Sequence, residues 1–180
     1  MANSSQKPLI ILMGVSGSGK STIGELLSKQ TGIPFYDGDD FHPQANKDKM
    51  ASGQPLTDAD RAGWLADLAQ HLGEWEQAQG AILACSALKE SYRTTLQAGA
   101  QQPLHWVLLG GDPALLRARM EHREGSYMHA NMLDSQLATL EVPAYGLHLD
   151  VANPPQELVD EIKAWLPTDG APELPARSRA

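Results

Sequence analysis

The sequence is poor in cysteine, in aromatic residues and in positive charge, and it contains no long apolar run. Its 180 residues include one cysteine, Cys85, so an internal disulfide and a zinc site built from cysteines are both excluded. The apolar stretch LIILMGV at residues 9–15 is too short to cross a membrane and lacks a small-residue cleavage site. We therefore expect a cytoplasmic protein that is not exported.

Negative charge dominates the composition. The chain has 22 Asp and Glu residues against 14 Lys and Arg residues, which gives a net charge of −8. Nucleic acids and anionic membranes attract basic surfaces, so we expect neither of them as a partner. We expect a small-molecule substrate, and an anionic one must be met by a local group of basic side chains.

Short apolar runs alternate with helical patterns along the chain. Runs that are continuously apolar are typical of parallel strands buried on both faces. Such runs, or close variants, occur at Leu9–Met13, Ile33–Tyr36, Ala81–Cys85, Leu104–Leu109 and Gly146–Val151. The alternation predicts an α/β fold with a doubly wound parallel sheet. The length suits one buried core, so we expect a single domain over residues 1–166.

Two helices are predicted from the residues at their ends. Thr57 followed by Asp60 predicts a capping box at a helix start. Pro155 suits the first position of a second helix, which we expect to stop at Pro167. Residues 167–180 contain three prolines and few residues that a core would bury. We expect this segment to be a flexible tail.

A phosphate-binding motif follows the first apolar run. GVSGSGKST at residues 14–22 matches G-x-x-x-x-G-K-[ST], and it lies after a predicted buried strand and at the start of a helix. The glycines let backbone N–H groups point at phosphate oxygens, with help from the positive end of the helix. Lys20 would place its charge between the terminal phosphates, and Ser21 would offer its hydroxyl to Mg²⁺. The predicted nucleotide-binding residues are Gly14, Val15, Ser16, Gly17, Ser18, Gly19, Lys20, Ser21 and Thr22.

The motif alone fits a small-molecule kinase, a GTPase switch or a motor. A GTPase should carry a guanine-binding N-K-x-D motif late in the chain. The near match NKDK at residues 46–49 has lysine where aspartate is needed, and it comes too early. The D-x-x-G pattern at residues 60–63 lies inside a predicted helix, so it is weak support for a switch.

Three carboxylates crowd the stretch YDGDDFHP at residues 36–43. Crowded carboxylates repel one another unless a cation, a proton or a hydrogen-bond donor compensates them. Tyr36 ends the second apolar run, so Asp37 and Asp39 should lie at the carboxyl edge of the sheet, across from the phosphate motif. We assign Asp37 to the magnesium side and Asp39 to the proton of an attacking hydroxyl, with exchanged roles or a plain turn as alternatives. Asp40 is interpreted as a solvated turn residue.

Three further stretches join the phosphate motif in a more specific pattern. DGDDFHP, KMASGQPLTDADRAGWL at residues 49–65 and CSALKESYR at residues 85–93 resemble the gluconate kinase family of small P-loop kinases, which are relatives of shikimate and adenylate kinases. The resemblance covers about residues 9–166. It implies a P-loop kinase fold with a helical lid, and transfer of the terminal phosphoryl group of ATP to the 6-hydroxyl of D-gluconate. A homodimer is also implied. A kinase for another small hydroxy acid or polyol, such as shikimate, and an ATP-dependent switch module stay open.

The resemblance also implies substrate-binding residues. Gluconate is a polyol with one carboxylate, so its site needs hydrogen-bonding groups and at least one cation. Asp39, His42, Arg61, Lys89 and Arg93 stand at family-matching positions, with Lys20 and Asp39 as the catalytic pair. Lys89 and Arg93 are four residues apart and alternatively form one solvated helix face. We interpret Trp64 and Cys85 as core residues.

The stretch from Leu115 to Glu141 has a polar middle between two helical patterns, which suits a lid over ATP at about residues 120–135. In related kinases lid arginines bind phosphates, and Arg119 and Arg123 match those positions. Arg117 is interpreted as solvated. Ser126 and Tyr127 depart from the histidine and phenylalanine that are usual in the family.

Overall fold

The computed structural model describes residues 7–122 and 127–167, without the side chains of residues 127–131. Arg123, Ser126 and the predicted tail beyond Pro167 lie outside the described residues, as does the side chain of Tyr127. Within these limits, no helix has the length and apolar character needed to cross a bilayer.

Five parallel strands form one sheet in the order β2-β3-β1-β4-β5. The strands are β1 (Leu9–Met13), β2 (Phe35–Asp37), β3 (Ala81–Ala84), β4 (His105–Gly110) and β5 (Leu147–Asp150). The central strand β1 pairs with β3 on one side and β4 on the other, and every residue of it is buried. This arrangement confirms the predicted α/β fold and explains why the first run is apolar throughout.

Seven helices in the described residues cover the sheet: α1 (Lys20–Thr31), α2 (Gln44–Ala51), α3 (Asp58–Gln77), α4 (Glu90–Gln97), α5 (Pro113–Glu121), α6 (Tyr127–Thr139) and α7 (Pro155–Trp165). A short 3₁₀ turn, Gly38–Phe41, follows β2. Helix α1 packs against α7, α3 against α4, and α5 against α6. Right-handed crossovers place α1 and α4 on opposite faces of the sheet, and the helix contacts put α7 beside α1 and α3 beside α4.

Both predicted helix starts are confirmed. The Asp60 N–H donates to Thr57 Oγ1 at 3.2 Å, and the Thr57 N–H donates to Asp60 Oδ2 at 2.8 Å, which completes the capping box of α3. Helix α7 begins at Pro155 and ends at Trp165, before Pro167.

Both ends of the second strand differ from the sequence prediction. Strand β2 begins at Phe35 rather than Ile33, because Pro34 intervenes and has no N–H to donate to a sheet ladder. The strand also extends to Asp37, which pairs with Ala84 of β3. The backbone of Asp37 is therefore held by the sheet. The ends of β3, β4 and β5 differ from the predicted ones by one residue.

Candidate active site

The carboxyl ends of β1, β2 and β3 open into a cavity of about 380 Å³. The phosphate motif follows β1, Asp37 ends β2, and Cys85 follows β3. Helices α2, α3, α5 and α6 supply the remaining walls. Ligands of open α/β sheets bind at this edge, so the cavity is the candidate active site.

The loop between β1 and α1 requires glycine at two positions for different reasons. Gly14 has φ 143°, and a Cβ there would lie 2.6 Å from the carbonyl oxygen of Leu109. Gly19, the N-cap of α1, has φ 89°, but a Cβ there would meet nothing within 4 Å. The loop therefore packs tightly on the sheet side and is open at the start of the helix, where an anion is favoured.

Lys20 is the first residue of α1 and lines the cavity. Its ammonium group donates to the carbonyl oxygens of Gly14 and Val15, each at 3.0 Å. Ser16, Gly17, Gly19 and Ser21 line the cavity with it, whereas Val15 and Ser18 are buried. The structure therefore brings most of the predicted loop residues to one wall.

Asp37 is held by two hydrogen bonds. Its Oδ2 accepts from Ser21 Oγ at 3.0 Å, and its Oδ1 accepts from the Asp39 N–H at 3.0 Å. Among the described residues, no group of three His, Cys, Asp or Glu side chains forms a metal site by itself. Mg²⁺ in kinases takes one or two protein oxygens together with phosphate oxygens and water. The Ser21 hydroxyl and the Asp37 carboxylate are such a pair, so they fit Mg²⁺ bound with a nucleotide.

Asp39 differs from Asp37 in its surroundings. Asp39 lines the cavity, and its side chain is 81% exposed to solvent. Partial desolvation in the cleft, then the charge of Asp37, raises the pKa of Asp39, and the charge of Lys20 lowers it. A carboxylate with a raised pKa in a cleft is suited to accept a proton.

His42 lies on the cavity wall against Trp64. The two rings stack with their centroids 4.0 Å apart, and the Trp64 Nε1–H donates to the carbonyl oxygen of Gly38 at 2.8 Å. Trp64 is buried, as predicted for a core residue, but it also lines the cavity. It therefore connects the 3₁₀ turn, His42 and α3.

Asn46 determines which nitrogen of His42 carries the proton. The Asn46 Nδ2 donates to the carbonyl oxygen of Asp60 at 2.8 Å, which fixes the orientation of the amide. The same nitrogen lies 3.3 Å from His42 Nδ1, so Nδ1 accepts and the ring proton lies on Nε2. Burial, then the charges of Arg61 and Lys47, lower the pKa of His42 to about 4. Neutral His42 thus offers an N–H donor, and its Nε2 lies 3.9 Å from Asp39 Oδ1.

Arg61 is the predicted substrate cation that lines the cavity. Its Nη1 donates to the carbonyl oxygen of Leu56 at 2.6 Å and to the Tyr92 hydroxyl at 3.3 Å. The Tyr92 hydroxyl in turn donates to Asp58. These contacts hold the guanidinium group at the edge of the site.

Lys89 and Arg93 do not line the cavity, although sequence analysis predicts both as substrate residues. The Lys89 ammonium group lies 3.1 Å from Asp58 Oδ1. Arg93 is 2% exposed, so it is not on a solvated helix face. It donates to the carbonyl oxygens of Ala87 at 2.7 Å and Glu141 at 2.8 Å, and thereby ties the start of α4 to the segment after α6.

A second cavity of about 300 Å³ lies beyond the phosphate loop. Gly17 and Gly19 line both cavities, and Thr22, Arg119 and Pro155 line the second. The Arg119 guanidinium group donates to the carbonyl oxygen of Val151 at 2.7 Å. Thr22 and Arg119 therefore lie together, away from the carboxylates.

Arg117 pairs with Asp134 of α6 at 2.6 Å, with its side chain 40% exposed.

Sequence analysis missed the roles of Asn46 and Gln136 in this site. Asn46 stands four residues after His42, a spacing that indicates a contact at a helix start, and it is also the first residue of NKDK, the near match to the guanine-binding motif. The Oε1 atom of Gln136 on α6 accepts a hydrogen bond from the Ser16 N–H at 2.6 Å. Cys85 is 2% exposed, and burial raises its pKa to about 12, as befits a small core residue.

Comparison with known protein sequences matches the chain to kinases. The family model described as shikimate kinase matches residues 16–162. A gluconokinase from Gluconobacter oxydans (strain 621H) is 50% identical over 135 residues, which are 74% of this chain and 75% of the relative.

Two solved structures resemble the chain over most of its length. A gluconokinase from Sinorhizobium meliloti 1021 is 42% identical with a TM-score of 0.80, covering 88% of this chain and 91% of that one. A sugar kinase from Janibacter sp. HTCC2649 is 39% identical with a TM-score of 0.83, covering 88% of this chain and 94% of that one.

Proposed function

The chain belongs to the gluconokinase family of P-loop kinases, and from that premise we propose that it transfers the terminal phosphoryl group of ATP to the 6-hydroxyl of D-gluconate. It is an ATP-dependent kinase that acts on a sugar acid. The products are 6-phospho-D-gluconate and ADP. The observation that carries the proposal is the single cavity that holds the Asp39 carboxylate, Lys20 of the phosphate loop and Arg61.

The phosphate loop binds the nucleotide. Its backbone N–H groups and the start of α1 surround the phosphates, and Lys20 moves its ammonium group from the loop carbonyls to the phosphate oxygens. Ser21 and Asp37 would hold Mg²⁺. When bound, Mg²⁺ neutralises charge on the phosphates. Lys20 stabilises the negative charge that grows toward the leaving ADP oxygen, and it is therefore catalytic rather than only a binding residue.

Asp39 acts on the acceptor. As the 6-hydroxyl oxygen attacks the terminal phosphorus, the new O–P bond forms, the bond to the ADP oxygen breaks, and the hydroxyl proton passes to the Asp39 carboxylate. The raised pKa of Asp39 favours this acceptance. Positioning of the two reactants in one cavity supplies a further large share of the rate.

Gluconate binds along the wall formed by α2 and α3. Arg61 pairs with the carboxylate, and the Nε2–H of His42 donates to a hydroxyl. Lys89 and Arg93 stay predicted substrate residues. Contact of Lys89 with gluconate requires that it leave Asp58, and contact of Arg93 requires that its bonds to buried carbonyls break.

The nucleoside part of ATP lies in the second cavity, on the other side of the phosphate loop. Gly17 and Gly19 line both cavities, so phosphates that follow the loop connect the two. Thr22 and Arg119, which line this cavity, contact this part of the nucleotide. Helices α5 and α6 form the lid over ATP. Arg123, the second predicted lid arginine, is assigned to the phosphates by family position alone.

A panel of acceptors tests the proposal. Turnover with ATP and Mg²⁺ is measured for gluconate, shikimate, other aldonates and nucleoside monophosphates. We expect gluconate to give the highest kcat/KM and little ATP hydrolysis without acceptor, because the acceptor completes the site. A higher kcat/KM with shikimate or another polyol would show that this molecule, and not gluconate, is the acceptor. Slow hydrolysis that no acceptor accelerates would favour a switch module.

The cellular context of the enzyme is proposed on other grounds. We infer a cytoplasmic location, which the single buried cysteine supports since it needs no oxidising compartment. A homodimer is inferred from the resemblance to gluconate kinases. Light scattering of the purified protein tests the dimer, with a mass of twice 19.4 kDa as the expected result and 19.4 kDa as the contrary one.

A further inference from the structure

A side chain of α6 occupies a hydrogen-bond donor of the phosphate loop. The Ser16 N–H donates to Gln136 Oε1 at 2.6 Å, across 120 residues of sequence. Both residues line the cavity that also holds Lys20 and Asp39. The N–H groups of such a loop are arranged to bind phosphate oxygens. The carboxamide oxygen therefore sits where a phosphoryl oxygen is expected.

Gln136 lies on a part of α6 that packs against the core. Leu133 is fully buried, and Leu137 packs against the same core. The ion pair between Arg117 and Asp134 ties this stretch of α6 to α5. Packing against the core and this ion pair therefore set the position of Gln136 over the loop.

We propose that Gln136 contacts the terminal phosphoryl group of ATP and distinguishes ATP from ADP. The inference rests on the proposed use of ATP. In the structure Gln136 Oε1 accepts from the Ser16 N–H. When the terminal phosphoryl group enters, its oxygen takes over the Ser16 N–H, and the Gln136 side chain turns so that its NH₂ group donates to the same phosphoryl group.

The chemistry of the carboxamide explains why glutamine suits this position. A phosphoryl group presents acceptors only, so a carboxamide can exchange its oxygen for its NH₂ group, whereas a carboxylate has no donor to offer and would repel the anion. ADP has no terminal phosphoryl group and leaves the bond between Ser16 and Gln136 in place. A change at Gln136 should therefore affect ATP more than ADP.

Nucleotide binding by two variants tests the inference. Gln136→Glu and Gln136→Met are compared with Ala138→Glu, a control that adds the same charge on an exposed position of α6. Calorimetric titrations with the ATP analogue AMPPNP and with ADP are made in EDTA, so that no metal ion bridges the new carboxylate and the phosphates. Thermal melting verifies that each variant is folded.

We expect Gln136→Glu to weaken AMPPNP binding about tenfold or more and ADP binding by less than about threefold, as for the loss of one hydrogen bond to a charged group. Gln136→Met should lower kcat with ATP, Mg²⁺ and gluconate about tenfold without changing ADP affinity. Ala138→Glu should stay within about twofold of the parent in each measurement.

Equal weakening of AMPPNP and ADP by Gln136→Glu would overturn the inference, and so would a kcat of Gln136→Met within twofold of the parent. If Gln136→Glu does not fold, the kcat of Gln136→Met decides alone. The titrations contain no gluconate. If the enzyme is inactive on gluconate, the proposed acceptor is overturned. If Gln136→Glu still weakens AMPPNP binding more than ADP binding in that case, the inference about Gln136 is supported.

Discussion

At the scale of single residues, two carboxylates that stand two positions apart have different surroundings. Asp37 belongs to the sheet and accepts hydrogen bonds from Ser21 and from the backbone of Asp39. Asp39 lies in the turn beyond the end of the strand, lines the cavity and has a raised pKa. These differences support the assignment of Asp37 to the metal side and of Asp39 to the proton.

Replacement of each carboxylate by its amide separates the two roles. Asp39→Asn removes the proton acceptor, so turnover should fall by roughly 10² to 10⁴ at every magnesium concentration. Asp37→Asn weakens a metal ligand, so added Mg²⁺ should restore part of its activity. Turnover is measured against magnesium concentration for both proteins. Rescue of Asp39→Asn but not of Asp37→Asn would exchange the roles.

The low pKa of His42 makes a prediction about acid stability. Burial and two neighbouring cations hold its pKa at about 4, against an ordinary value of 6.5. Between these values the unfolded chain binds a proton that the folded protein does not, so acidification from pH 6.5 to pH 4 should destabilise the fold. The contribution has a slope of at most about 1.4 kcal/mol per pH unit.

Urea denaturation of the parent and of His42→Gln across this pH range tests that contribution. The parent should lose stability more steeply than the variant from pH 6.5 to pH 4, and the two should run parallel below pH 4. Parallel curves over the whole range would show that His42 titrates at its ordinary pKa.

At the scale of elements, the start of α3 is fastened to α2 through Asp60. The carboxylate of Asp60 completes the capping box with Thr57 and accepts from the Lys49 ammonium group at 2.6 Å. The backbone carbonyl of the same residue accepts from Asn46. These bonds fix the turn of α3 that presents Arg61 and Trp64 to the cavity.

Asp60→Asn should lower stability at neutral pH, because the bond to Lys49, then the bonds to Thr57, lower the pKa of Asp60 to about 2. The stabilisation is present above the unfolded pKa of about 4 and is lost as the pH falls toward 2. The difference in melting temperature between parent and variant should therefore shrink from pH 4 to pH 2. Glu25→Gln, on an exposed carboxylate of α1, serves as control. A difference that stays constant with pH would contradict the role of the Asp60 charge.

The elements themselves could largely be predicted from the sequence. Continuous apolar runs located the five strands, and caps located the starts of α3 and α7. The predicted end of β2 was wrong because apolarity alone does not show where pairing stops. Ile33 is buried without belonging to the strand, and Asp37 is polar but paired.

The motifs indicated part of the cavity lining. Most of the phosphate loop lines the cavity together with Asp37, Asp39, His42 and Arg61, whereas Lys89 and Arg93, from the motif after β3, do not. The contact of Gln136 with Ser16 joins residues 120 positions apart. The hydrogen bond from buried Arg93 to the carbonyl oxygen of Glu141 likewise joins residues 48 positions apart. Such contacts arise from the packing of distant elements, which no local pattern encodes.

At the scale of the whole molecule, an acidic protein binds acidic ligands by placing its cations locally. The net charge is −8, yet Lys20 and Arg61 line one cavity and Arg119 lines the next. The phosphate loop separates the two cavities. Under the proposed function, the nucleoside part of ATP would lie on one side of this loop and the acceptor hydroxyl would face Asp39 on the other.

The most direct test of this account is a ³¹P NMR spectrum of the reaction with ATP, Mg²⁺ and equal amounts of gluconate and shikimate. The account predicts one new phosphate monoester resonance, coupled to the two protons of the gluconate C6 methylene group, and absent when gluconate is omitted. A monoester coupled to a single ring proton of shikimate, or inorganic phosphate as the sole product beside ADP, would contradict it.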